Sequence, residues 1–154
     1  MTLSNTPILP LQQVAHVAQT CLCFKAQREA RRLARVFDQA FRPLGLTNTQ
    51  FSLLMALNQP EPPTISRLAA LLVMDRTSLT AALKPLHRRG WAEINSDAKD
   101  RRVRAVRITA AGVALLHQAL PIWRETHRGV EQAQSAAASD RINSIGLVGL
   151  ATNP

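Results

Sequence analysis

The sequence predicts a mainly α-helical fold with one small β-hairpin, and three observations predict it. In the middle of the 154 residues, apolar side chains recur at helical spacing in two short blocks, Ile65, Leu68, Ala69 and Leu72, then Leu79, Leu83 and Leu86. Between Trp91 and Ile108 the period falls to two, with Val106 and Ile108 on either side of Arg107, as in a strand. On both flanks, longer stretches with apolar residues three and four apart predict helices that extend beyond this central module.

From about Leu11 to Phe41 one long helix is expected, with Leu22, Ala26, Leu33, Phe37, Ala40 and Leu44 near one face and a basic stripe of Lys25, Arg28, Arg32 and Arg35 on another. Pro43 and Gly45 stop it, and Thr47 or Asn48 caps the next helix, which carries Phe51, Leu54 and Leu57. Asn58 to Pro63, with three prolines, reads as a loop. The block from Ile65 to Leu72 forms a short helix, which Val73-Met74 separates from Asp75, the expected cap of the following one. Arg89-Gly90 ends that helix, and Trp91 to Ile94 and Arg102 to Ile108 read as strands joined by the polar hairpin Asn95 to Arg101. Thr109 caps a second long helix reaching about Ser135, with a kink expected near Ala119 to Pro121 and another at Pro85 in the earlier helix. Ser139 or Asp140 is expected to start a final helix with Ile142, Ile145, Leu147, Val148 and Leu150.

The two short helices and their tight turn make a helix-turn-helix. In the second helix Leu79, Leu83 and Leu86 share one face, while Thr77, Ala81, Lys84 and Arg88 project from the other. Small, hydroxyl and basic side chains are what a helix needs to enter a major groove, because they permit close approach and reach base edges or phosphates. From Arg76 to Arg107 there are nine Lys and Arg against Glu93, Asp97 and Asp100. Those six net positive charges are two-thirds of the chain's formal +9 on about a fifth of its length, the electrostatic footprint of a polyanion partner.

With these residues in place, the chain resembles the MarR family of winged-helix transcription regulators. The stretch DRRVRAVRIT, residues 100–109, is similar to that family's wing signature, an Asp-x-Arg followed by a strand ending in an aliphatic residue and Thr. LGLTNTQFSLLMAL before the motif and ITAAGVALL after it match in the same order, so the resemblance runs from about Leu22 to Trp123. It implies a winged helix-turn-helix with long N- and C-terminal dimerisation helices in a single intertwined domain. Residues 1–45 would be the N-terminal dimerisation helix, 46–110 the DNA-binding region and 111–154 the C-terminal dimerisation helices. It also implies a homodimer on a pseudo-palindromic double-stranded DNA operator, with half-sites roughly 10 base pairs apart. Repression, released by a small-molecule or oxidative signal, is the expected output. Arg102 would enter the minor groove with Asp100 orienting it, a placement that suits a guanidinium in a narrow, negative groove. Thr77, Ser78, Thr80 and Lys84 would meet the major groove, with Arg76 and Arg88 at its phosphate walls and Arg101 and Arg104 adding to the basic wing.

Two effector readings follow from the same resemblance. Cys23-Phe24 stands where the organic-hydroperoxide-sensing branch carries its reactive cysteine, which makes Cys23, with Cys21 beside it, a candidate redox residue. That branch supports its thiolate with tyrosine hydroxyls, whereas this chain has no Tyr and carries Phe37 and Asn48 at two matching positions. Two residues apart in a helix, the thiols would point about 200° apart, against a bond between them. The other reading is a small aromatic or anionic effector held between the dimer helices and the winged helix, its cleft lined by His16, Phe51, Trp123 or Arg124.

Composition sets compatible bounds. No stretch is long and apolar enough to span a membrane, and no basic segment followed by an apolar core marks a secretory signal. Two cysteines in a chain this long are not a disulfide scaffold, so a cytoplasmic protein is expected. His16, His87, His117 and His127 lack zinc-ligand spacing, and no phosphate-binding glycine loop or nucleophile elbow is present, so neither metal, cofactor nor enzymatic activity is expected. The alternative from another class is a helical protein-interaction or RNA-binding module using the same basic face. Four Phe and two Trp, mostly at apolar-periodic positions, offer little of the stacking platform RNA binders use.

Overall fold

In a computed structural model, residues 8–96 and 104–149 are described. The elements run α1 (Leu11–Thr20), α2 (Leu22–Phe41), a 3₁₀ turn (Arg42–Leu44), α3 (Asn48–Leu57), α4 (Ile65–Leu72), α5 (Arg76–Arg88), β1 (Ala92–Ser96), β2 (Arg104–Ile108) and α6 (Ala110–Gly149). A mainly helical chain with one hairpin is therefore what forms. The chain divides after Val36 into two compact units.

In the first unit, the single helix expected from Leu11 to Phe41 is two. Cys21 interrupts it with φ −67° and ψ 113°. The Thr20 hydroxyl donates to the His16 carbonyl at 2.7 Å, a back-bond of the kind that bends helices, and Thr and Cys are weak helix formers. Both backbone groups of Cys21 are satisfied at the break. The Cys21 N–H donates to Val17 O at 2.9 Å and closes α1, while its carbonyl accepts the Lys25 N–H at 3.1 Å and opens α2. On α2 the Arg32 guanidinium lies 2.7 Å from Glu29. Its hydrogen bond holds the Glu29 carboxyl below the usual carboxylate range, against partial desolvation. The basic stripe of Lys25, Arg28, Arg32 and Arg35 is solvent-exposed.

The second unit holds the core. Phe37 and Phe41 at the end of α2 are buried, with the Phe41 ring 4.8 Å from that of Phe51 on α3. Pro43 in the 3₁₀ turn and Gly45 at φ +62° end the helix as expected. Thr47 then opens α3 with a reciprocal capping box to Gln50, and Asp38 accepts the Asn48 N–H at 2.7 Å, which ties α2 to the start of α3. Thr64 caps α4 by accepting the Arg67 N–H. Between α4 and α5 the exposed Val73 adopts φ +51°, a left-handed conformation that is costly for a β-branched residue and makes the turn tight.

β1 and β2 pair antiparallel, with Ala92 opposite Ile108, Ile94 opposite Val106 and Ser96 opposite Arg104. The proline-rich loop joins this sheet through a Thr64–Ala105 bridge and the Val106 N–H, which donates to Pro63 O at 2.9 Å. Pro63 and Val106 are fully buried. Thr109 caps α6 by accepting the Gly112 N–H at 3.1 Å. The helix then continues through Pro121 and past Ser139 and Asp140 to Gly149, so the separate final helix expected there is absent. Once a helix is propagating, each residue adds a bond without a new nucleus, and Ala136 to Ala138 favour continuation over a restart at a capping residue. α5 likewise continues through Pro85 to Arg88.

Candidate nucleic-acid interface

The face of α5 is set by its buried side. Leu79, Leu83 and Leu86 are completely buried in a core shared with Leu53, Leu54, Leu57 and Leu68, each stabilising the fold by about 2 kcal/mol through burial alone. Arg76, Thr77, Ser78, Ala81, Lys84 and Arg88 are consequently exposed, with Thr80 half-buried. Arg76, Thr77, Thr80, Ala81 and Lys84 together line an open concavity along the outer side.

Two of the predicted contact residues carry a local task as well. The Ser78 N–H donates to Asp75 Oδ1 at 2.8 Å. The Ser78 hydroxyl first, and that N–H second, hold the Asp75 carboxyl below the usual carboxylate range. The Thr80 hydroxyl donates to the Arg76 carbonyl at 2.7 Å, so its proton is used within the helix. Thr77 and Lys84 therefore carry more of the outward hydrogen-bonding capacity of α5 than sequence suggested.

Because the Asp75 carboxyl is lowered in the folded chain, the unfolded chain binds the extra proton. The cap's contribution is complete above the ordinary aspartate range and is lost as pH falls through the lowered value. The stability difference between wild type and Asp75→Ala is thus expected to shrink as denaturation is repeated from about pH 7 toward about pH 3. A pH-independent difference would remove the charged cap from this account.

The base of the hairpin is clasped to the end of α5. The Trp91 N–H donates to Leu86 O at 2.9 Å, and the Thr109 N–H to Trp91 O at 3.1 Å. The Thr109 hydroxyl donates to Gly90 O at 2.6 Å. Arg89 donates from Nη1 to Gly45 O at 2.6 Å while its guanidinium carbon lies 4.7 Å from the Trp91 ring centroid. Sequence pattern missed this residue, whose partner is distant in the chain. On β2, Arg104 and Arg107 are exposed around the buried Val106. Asp100, Arg101 and Arg102 lie outside the described residues.

The effector candidates fall in different places. Phe51 is a core residue, and its ring stacks with that of Trp123 at 6.5 Å, which in turn lies 4.7 Å from the His127 ring. Trp123 is half-buried and Arg124, next along α6, is exposed. His16 is exposed on α1 in the first unit. Cys21 is half-buried, Cys23 is exposed, and both are free thiols. Among the described residues no helix is long and apolar enough to cross a membrane.

Known proteins are similar to this chain. A profile described as the MarR family matches residues 44–103, which runs from the 3₁₀ turn through α5 to the start of β2. The structure is similar to the crystal structure of the Mycobacterium tuberculosis transcriptional regulator MosR in complex with DNA. The likeness has a TM-score of 0.64 and 36% identity, covering 84% of this chain and 96% of that one. The transcriptional repressor NicR of Pseudomonas putida is 28% identical over 123 residues, 80% of this chain and 73% of NicR. The transcriptional repressor MprA of Escherichia coli K12 is 27% identical over 128 residues, 82% of this chain and 71% of MprA. An amphipathic α5 seated on three leucines, a hairpin clasped to its end, and these similarities lead to one conclusion: the chain belongs to the MarR family of winged-helix transcriptional regulators.

Proposed function

We propose that the chain is a sequence-specific double-stranded DNA-binding transcription regulator, a repressor that occludes a promoter. The observation that carries this is the outer face of α5, where Arg76, Thr77, Ala81 and Lys84 line one concavity opposite a fully buried leucine face. Thr77 and Lys84 read base edges in the major groove, with Ser78 and Thr80 approaching beside them. Arg76 and Arg88 meet phosphates, and Arg101, Arg102 and Arg104 form the wing contact, Asp100 orienting Arg102 in the minor groove. The acting form is a homodimer. Leu11, Val14, Val17 and Leu22 on α1 and α2 are more than half exposed, an apolar surface consistent with a second copy. The two recognition helices then address a pseudo-palindromic site, and residues 1–45 and 111–154 supply the pairing surface around the winged helix of 46–110. A small aromatic or anionic effector near Trp123 and Arg124 is the signal this layout accommodates.

The test is a titration of the full chain, at several salt concentrations, against a duplex selected from a random-sequence pool. Arg102→Ala is expected to weaken binding strongly. Lys84→Ala is expected either to relax base preference or to lower the salt slope by about 0.9. Unchanged affinity in both variants overturns the placement, and light scattering of the free protein as a monomer at micromolar concentration overturns the dimer.

A second, oxidative signal meets no geometric objection in the structure. The helical spacing that would hold Cys21 and Cys23 apart does not exist, because Cys21 is extended and Cys23 lies in the first turn of α2. Peroxide treatment in the same titration is expected to release wild type but not Cys21→Ser or Cys23→Ser; release of all three excludes these thiols.

A further inference from the structure

We propose that Arg89 is a positioning residue for DNA binding, fixing the recognition helix against the end of α2 instead of touching DNA. The inference rests on the DNA-binding reading above. In sequence Arg88-Arg89 is one basic pair at the end of α5, of which Arg88 reads as a phosphate contact and Arg89, with Gly90, as the end of the helix. In the structure the Arg89 side chain is engaged in two ways. Its Nη1 donates to Gly45 O at 2.6 Å, across 44 residues of chain, and its guanidinium carbon lies over the Trp91 ring, 4.7 Å from the centroid.

Each partner belongs to a different segment. Gly45 is the left-handed residue that ends the 3₁₀ turn after α2, its own N–H donating to Arg42 O at 2.9 Å. Trp91 is the residue whose N–H returns to Leu86 and so fixes the chain leaving α5 toward the hairpin. One guanidinium therefore joins the C-terminal end of α2, the end of α5 and the root of β1. The arrangement uses Arg specifically, since a planar fork can donate at its edge while stacking on its face and an ammonium cannot.

The consequence for recognition is preorganisation. Base readout requires α5 held in one orientation, whereas phosphate attraction is largely indifferent to it. With the latch formed in the free protein, the ordering of α5 is completed on folding and is not charged against binding. Loss of Arg89 is thus expected to reduce discrimination more than overall affinity for DNA.

The experiment compares Arg89→Ala, Arg89→Lys and Arg88→Ala in the full chain. It uses the selected duplex and a random-sequence duplex over a salt series, with urea midpoints confirming that each variant is folded. Both Arg89 variants are expected to weaken the selected duplex roughly tenfold, the loss of one charged hydrogen bond and its stack. They leave the random duplex and the salt slope unchanged, while Arg88→Ala lowers the slope by about 0.9. Rescue by Arg89→Lys together with a slope reduced in Arg89→Ala overturns the proposal in favour of a direct phosphate contact, and so does unchanged affinity for the selected duplex. If wild type selects no duplex, the DNA-binding reading fails by itself. Trp91 emission in a Trp123→Phe background then decides the latch: a change on Arg89→Ala supports it and an unchanged spectrum overturns it.

Discussion

Gly112→Ala is expected to destabilise the protein by about 2 kcal/mol, although glycine to alanine inside a helix ordinarily stabilises by about 1 kcal/mol. Gly112 lies in the first turn of α6, where the hairpin returns to the helices. A methyl group there would overlap the Trp91 carbonyl oxygen and lie 2.8 Å from Cγ1 of Ile108. The first of these neighbours is backbone, and it cannot yield by changing rotamer. It is also the acceptor for the Thr109 N–H, so displacing it strains the cap of α6 and the root of the hairpin together. At Gly129, farther along the same helix, such a methyl meets nothing within 4 Å beyond its own helix backbone among the described residues. Gly129→Ala should accordingly gain the usual increment of about 1 kcal/mol. Urea denaturation of the pair checks both signs, and a Gly112→Ala protein as stable as wild type would show that the hairpin root is not tightly seated.

Leu83→Ala carries the largest expected loss, about 3 kcal/mol, because truncating a fully buried leucine forfeits its transfer free energy and leaves a cavity. Leu83 stands in the middle of the buried face of α5 with Leu79 four residues before it and Leu86 three after, all without exposed surface. Its neighbour in sequence is Lys84, so the same turn that anchors the helix presents a proposed base-reading residue. Leu71→Ala on α4, where the side chain is 59% exposed, is the matched control and should stay within about 0.5 kcal/mol of wild type. A Leu83→Ala change as small as the control would mean that α5 does not depend on this packing.

What was legible in the sequence was what is local. The face of α5 follows from the spacing of Leu79, Leu83 and Leu86, and the caps Thr47, Asp75 and Thr109 each bond an N–H three residues on. Two local features still escaped. The break at Cys21 depends on a single Thr20 back-bond with no proline or glycine to announce it, and α6 runs past Ser139 because a capping residue starts a helix only where none is already growing. The contacts between distant segments left no periodic trace. Arg89 meets Gly45, and Pro63 meets Val106, through single hydrogen bonds that no pattern of side chains encodes. Within the proposed interface, sequence named the outward residues of α5 but could not reveal that Ser78 and Thr80 also bond their own helix.

The bond from Val106 to Pro63 has a kinetic meaning. It closes a loop of about forty residues, whereas the helices it encloses form from contacts only a few residues apart. Closing that loop costs chain entropy before any sheet packing repays it, so α4 and α5 are expected to form before β2 finds its place. During synthesis the recognition helix would thus emerge ahead of the strand that completes its support, and the hairpin's docking marks the moment at which the module becomes whole.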